Sequence, residues 1–130
     1  MTRELVTIPS GTYAVRPADV AYARYSWAAA RLAAWCARDL YLGPLRIAWY
    51  IDPEPISPSA QRRGLRGYVI PDEPGLIHVR ADQSEVETLR STAHESYHLH
   101  EYRENRVLDE ERAEAYGRRA ANDYLARRIQ

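Results

Sequence analysis

The sequence predicts an α+β domain with a leading helix, a small three-stranded mixed sheet and two further helices. Ala, Leu and Arg dominate residues 18–42, as in a long helix, and three short runs rich in Ile, Val, Trp and Tyr follow. Beyond these runs, apolar positions recur every three or four residues, which is the period of a helix. Because 130 residues suffice for one modest hydrophobic core, we expect residues 1–130 to form a single domain.

The leading segment combines an extended stretch with a helix. Pro9, Ser10 and Gly11 supply a turn between two short apolar runs, which predicts a hairpin within residues 2–17. Pro17 suits the first turn of the following helix, and Gly43 suits its end. We therefore expect about six helical turns between them.

Three runs are the strand candidates of the sheet: residues 45–51 (LRIAWYI), 65–70 (LRGYVI) and 76–79 (LIHV). The turn residues at 71–75 (PDEPG) favour a hairpin between the second and third candidates. Residues 52–64 contain three prolines and two serines, which predicts a loop between the first and second.

Two helices are expected in the last third of the chain. A helix from residue 83 is indicated by apolar or aromatic residues spaced by three and four positions, namely Val86, Leu89, Ala93 and Tyr97. Asp109 is a natural N-cap with acids in the turn after it, and it predicts a closing helix to Arg127 or Arg128.

Composition narrows the classes of partner. The 18 arginines balance 18 acids, so the formal net charge is zero, and this argues against a dedicated nucleic-acid binder. The sequence has neither an apolar window of membrane-spanning length nor the apolar stretch of a secretory signal, so we expect a cytoplasmic protein without a membrane partner. The lone Cys36 is expected to be a small buried apolar residue.

The sharpest motif is His94-Glu95-Ser96-Tyr97-His98, inside a predicted helix. Helical residues four apart differ by only about 40° in direction and about 6 Å in height, so both imidazoles can reach one ion. Glu95 is rotated by about 100° from His94. It can flank the ion and take a proton from an attacking water. The spacing predicts His94 and His98 as metal ligands and Glu95 as the catalytic base.

A third ligand must be found elsewhere, because a catalytic zinc site uses three protein ligands and one open position. No histidine follows His100, which lies about 160° around the helix from His98, so a carboxylate is expected. We favour Glu114, which an antiparallel closing helix can place opposite the two histidines. The alternatives in the same segment are Glu111, Glu110 and Asp109.

Two further acids refine the type of site. Glu101 and Glu104 occupy the positions where metzincins carry a glycine and a third histidine, so that type is excluded. Glu101 lies on the same helix face as His94 but a turn beyond the pair. We expect it to support the site from behind or to lie at the surface.

At these residues the sequence resembles the minimal gluzincins, especially the ImmA/IrrE-like metallopeptidases. The resemblance is carried by TLRSTAHESYH at 88–98 and ERAEAYGRRAA at 111–121, and the element order is similar over nearly the whole chain. It implies a minimal zincin-like fold in which Zn²⁺ is held by His94, His98 and Glu114, with Glu95 as base. It also implies that one strand, residues 76–79, is an exposed edge that pairs with the substrate backbone.

The expected function is zinc-dependent hydrolysis of peptide bonds in a protein or peptide substrate. The resemblance implies that a helix-turn-helix repressor on another chain can be that substrate. The alternatives are a non-catalytic zinc-binding regulatory module and an interaction domain without metal, and the same ligands also suit manganese or iron. Candidates for stabilising the oxyanion are Tyr97, Tyr102, Tyr116 and His78.

Overall fold

Five strands and three α-helices are present in the computed structural model, which describes residues 2–60 and 65–129. Their bounds are β1 Glu4–Ile8, β2 Gly11–Ala18, α1 Ser26–Asp39, β3 Arg46–Pro55, β4 Gly67–Tyr68, β5 Leu76–Arg80, α2 Glu85–Arg103 and α3 Glu110–Ile129. The α+β class agrees with the prediction. The three-stranded sheet does not, because the sheet has five strands in the order β1-β2-β3-β5-β4.

The prediction failed because the N-terminal hairpin joins the main sheet. β1 and β2 form the expected hairpin, and β2 also pairs antiparallel with β3, from Tyr13 opposite Pro55 to Ala18 opposite Trp49. β3 continues to Pro55, well into the predicted loop, and β5 pairs only with its first five residues. Pro53 and Pro55 therefore lie where β3 has a strand neighbour on one side only, as proline in a strand requires.

The leading helix begins later than expected. Pro17 belongs to β2, opposite Tyr50, so it does not start a helix. Val20–Tyr22 form a single 3-10 turn, and α1 runs only from Ser26 to Asp39. Tertiary pairing of the strand thus overrides the helical preference of the residues just after Pro17.

The strand expected at the exposed edge is internal. β5 lies between β3, to which it is parallel, and β4, to which it is antiparallel. The hairpin between β4 and β5 is confirmed, but β4 is only the two residues Gly67 and Tyr68. β4 is the edge strand next to β5, and β1 is the opposite edge. Residues 61–64 of the predicted loop lie outside the described residues.

The core has three clusters of buried side chains. One joins the three helices and contains Cys36, which is fully buried as predicted. Another joins α1 and α2 to the sheet through Ile77 and Val79. The last packs β1 and β2 residues against Leu65 and Tyr68, so the sheet curls and brings the hairpin toward β4. Within the described chain, no helix is long and apolar enough to cross a bilayer.

Candidate metal centre

Helix α2 presents the two motif histidines side by side. Its N-cap is Ser84, one residue beyond the predicted start, and the Ser84 hydroxyl accepts a hydrogen bond from the Glu87 amide. His94 and His98 lie one turn apart on its face, and their ring centroids are 4.7 Å apart in an edge-on arrangement. The helical spacing therefore brings the two imidazoles together as expected.

Helix α3 crosses α2 beside His94. A Cβ atom at Gly117 would lie 2.7 Å from the carbonyl oxygen of Arg90 and 3.3 Å from the amide nitrogen of His94. Only glycine permits this approach without displacement of the backbone. At the start of α3, Asp109 accepts a hydrogen bond from the Arg112 amide at 3.1 Å, as the predicted N-cap should. The crossing places the first turns of α3 over the histidine pair.

The Nε2 atoms of both histidines point to the carboxylate of Glu110. One Glu110 oxygen lies 3.1 Å from Nε2 of His94, and the other lies 3.1 Å from Nε2 of His98. Tetrahedral zinc with bonds of about 2.0–2.2 Å separates its ligand atoms by about 3.3–3.5 Å, so this spacing fits an ion with little adjustment. His94, His98 and Glu110 thus form a group that could hold a metal ion.

A buried nitrogen atom in this group lacks a proper partner. Nε2 of His98 is inaccessible to solvent and makes no well-directed hydrogen bond to any described residue. Burying such an atom without a partner costs free energy. A cation between the two imidazoles and Glu110 would satisfy it.

The opposite ring nitrogens are each bonded to another carboxylate. Nδ1 of His94 lies 3.1 Å from Glu114, and Nδ1 of His98 lies 2.7 Å from Glu101. A carboxylate that accepts the Nδ1 hydrogen leaves Nε2 with its lone pair free for a metal. A metal in place of the Nε2 hydrogens would leave both histidines in the tautomer and orientation that these carboxylates fix.

The acids considered for the third ligand have different positions. Glu114, which the sequence favoured, contacts the back of His94 and is outside the group formed at Nε2. Glu111 is exposed, and Asp109 caps α3.

Glu101 is buried, and its second oxygen accepts the Asp109 amide hydrogen at 2.9 Å, so Glu101 also joins the end of α2 to the start of α3. The spacing of three residues between His98 and Glu101 was a signal for this contact.

Glu95 lies beside the group and is buried at 7% exposure. Its carboxylate is 3.9 Å from Nε2 of His94. Burial raises the pKa of Glu95 to about 7, although the neighbouring His94 and His98 oppose this change. The edge strand β4 passes directly over Glu95. A Cβ atom at Gly67 of this strand would lie only 2.8 Å from Cγ of Glu95.

The charges of the site favour a cation. The hydrogen bond with His94 and the close approach of His98 hold the pKa of Glu110 well below its usual range. Burial lowers the pKa of His98, but the nearby carboxylates of Glu110 and Glu95 outweigh this effect and raise that pKa to about 9. Within the described part of the chain, four carboxylates surround the two imidazoles: Glu95, Glu101, Glu110 and Glu114. This excess of negative charge favours a bound cation.

A cleft of about 510 Å³ opens onto these residues. Its walls come from the β1–β2 turn, from β4, and from the facing sides of α2 and α3.

Among the candidates for stabilising the oxyanion, Tyr102 lines the cleft. Burial raises the pKa of Tyr102, so its hydroxyl remains a protonated donor. Tyr97 and Tyr116 pack between the helices instead. His78 stacks on Tyr68 and contacts Glu73 at 2.8 Å.

Comparison with protein-family models, curated proteins and solved structures finds no match. The resemblance to the ImmA/IrrE-like metallopeptidases therefore stays a prediction from the two sequence segments that carry it.

Proposed function

We propose that this protein is a zinc-dependent peptidase whose metal is held by Nε2 of His94, Nε2 of His98 and the carboxylate of Glu110. This replaces Glu114 of the sequence-based proposal as third ligand and assigns Glu114 to the orientation of His94. The observation that carries the proposal is the convergence of two Nε2 atoms on one carboxylate, while both Nδ1 atoms are bonded to other carboxylates.

The proposed chemistry uses Glu95 as general base. When bound, zinc would polarise the scissile carbonyl and lower the pKa of a water molecule. Glu95 accepts the proton of the attacking water and passes it to the leaving nitrogen. The Glu95 carboxylate lies 3.9 Å from Nε2 of His94, so it is close enough to the proposed metal to make both transfers. Tyr102, at the wall of the same cleft, is the donor we assign to the oxyanion.

A peptide is the substrate class that fits the surroundings of the site. The cleft follows β4, whose outer side is not paired with another strand among the described residues. An extended peptide can add to such an edge through its own backbone hydrogen bonds. This supports a peptide or an unfolded segment of a protein. The repressor on another chain remains a prediction from the resemblance.

The test compares zinc content and hydrolysis for the wild type and Glu95→Gln. We expect one zinc per chain in both proteins, measured by elemental analysis after dialysis. We expect hydrolysis of an unfolded protein substrate such as casein to fall by about 10²–10⁴ in the variant, since it lacks the general base. Glu104→Gln, an exposed acid at the end of α2, is the matched control and should retain activity.

Three results would contradict the proposal. A wild type without zinc affinity would exclude the metal site. Stoichiometric zinc without any hydrolysis would favour the non-catalytic zinc-binding module, and full activity in Glu95→Gln would exclude Glu95 as the general base.

A further inference from the structure

Arg90 lines the cleft one helical turn before His94. Its Nε atom is buried and has no hydrogen-bond partner among the described residues. Within the same residues, no carboxylate lies within ion-pair distance of its guanidinium. A buried guanidinium nitrogen without a partner is costly to maintain. Because Arg90 lines the open cleft and has no carboxylate partner within the described residues, its guanidinium can gain one from a ligand in the cleft.

The acids nearest to Arg90 in the cleft have other partners. Glu110 and Glu114 contact the imidazole of His94, and Glu95 lies under β4. Arg66, just before β4, is a second cation of the cleft wall and also has no ion pair within the described structure. The cleft thus carries negative charge at the histidines and positive charge beside them. A ligand that spans both parts needs an anionic group at the arginine end.

We propose that Arg90 binds a carboxylate of the substrate and so makes the cleft selective for peptides with an acidic group close to the scissile bond. This inference rests on the proposed peptidase function. The planar guanidinium matches a carboxylate with two parallel hydrogen bonds. The carboxylate can come from an Asp or Glu side chain or from the free C-terminus of the peptide.

The geometry limits where that carboxylate lies. Arg90 and His94 are separated by about 6 Å along the helix axis. An extended peptide advances by about 3.3 Å per residue. The acidic group is therefore expected within about two residues of the bond that is cut.

The experiment uses two sets of synthetic random peptides, one with free and one with amidated C-termini, incubated with the zinc-loaded wild type. Cleavage sites are read by mass spectrometry. An acidic side chain as the source predicts Asp or Glu enriched at one fixed position in both sets. A C-terminal carboxylate as the source predicts cleavage near the end of the free set only.

Peptide binding gives a readout independent of cleavage. Zinc-loaded Glu95→Gln is titrated with peptides that differ only by Glu against Gln, or by a free against an amidated C-terminus. We expect at least tenfold tighter binding of the carboxylate form. This preference should be lost when Arg90→Gln is added and kept when Arg118→Gln, an exposed arginine on α3, is added. Zinc content should be unchanged in all three proteins.

Equal cleavage and equal binding of the carboxylate and neutral forms would overturn the inference, as would a preference that survives Arg90→Gln. If no peptide is cut but binding still depends on Arg90, the peptidase proposal fails and the anion site stands. If Arg90→Gln does not fold, Arg90→Lys replaces it. That variant keeps the charge, loses the two-pronged geometry, and should reduce the preference several-fold.

Discussion

Glu110 and Glu114 lie one helical turn apart on α3 and contact opposite sides of the His94 ring. Glu110 reaches Nε2, which it shares with His98, whereas Glu114 reaches Nδ1. The two acids therefore have separable effects on a metal. Loss of Glu110 removes a ligand, and loss of Glu114 removes only the group that orients one.

We predict that Glu110→Gln weakens zinc binding more than Glu114→Gln does. Removing a partner that orients a metal-bound histidine typically costs about 10–100-fold in affinity, and we expect Glu114→Gln to fall in that range. Glu110→Gln should lose at least tenfold more. Competition with a chromogenic chelator measures both, with exposed Glu111→Gln as the control from the same turn. A greater loss in Glu114→Gln would restore Glu114 as the ligand.

Part of the site could be predicted from the sequence because it depends on one helix. The spacing of His94, Glu95 and His98 fixes their relative directions through helical geometry alone. The choice between Glu110 and Glu114 depends on where α3 crosses α2, which is a tertiary property set at Gly117. The role of Arg90 likewise depends on the surrounding cleft, and its spacing from His94 contains no sign of it.

At the scale of elements, the contact between α2 and α3 holds the site together. We predict that Gly117→Ala destabilises the protein, because the added methyl group would lie 2.7 Å from the Arg90 carbonyl oxygen. Overpacking of this kind costs about 1–3 kcal/mol, so we expect that loss in the free energy of unfolding. Zinc affinity should fall as well, because the helices that carry the ligands must separate.

Gly43→Ala is the matched control, since no atom lies within 4 Å of the added methyl group. Its free energy of unfolding should change by less than about 1 kcal/mol. Urea denaturation measures both variants. Equal stabilities, or an unchanged zinc affinity in Gly117→Ala, would show that the close crossing does not position the ligands.

The elements themselves were only partly predictable. α2 followed from its apolar spacing and α3 from its N-cap Asp109, which are local signals. The five-stranded sheet did not, because the pairing of Ala18 with Trp49 joins residues far apart in sequence. This ladder also contains an irregularity between Ala14 and Arg16. No local pattern distinguishes an isolated hairpin from one that joins a larger sheet.

At the scale of the whole molecule, the core contains several groups that resist ionisation. Burial raises the pKa of the Cys36 thiol to about 12 and also raises the pKa values of Tyr50, Tyr68 and Tyr116. In the unfolded chain these groups lose their protons at about pH 8.5–10. Above that range the unfolded state binds fewer protons than the folded state, so stability must fall as pH rises.

We predict a loss of stability between about pH 9 and pH 12, with each fully shifted group contributing about 1.4 kcal/mol per pH unit. Urea unfolding of the metal-free protein at several alkaline pH values measures the slope. Cys36→Ala should reduce the slope by about 1.4 kcal/mol per unit above pH 9, whatever its effect on stability at neutral pH. A flat profile to about pH 10.5 would contradict the burial of these groups.

The most direct measurement is an anomalous difference map at the zinc edge from crystals grown with zinc. We predict one strong peak bounded by Nε2 of His94, Nε2 of His98 and the Glu110 carboxylate, with Glu114 and Glu101 still bonded to the Nδ1 atoms. A peak coordinated by Nδ1 of His94, or no peak between the two histidines, would contradict it.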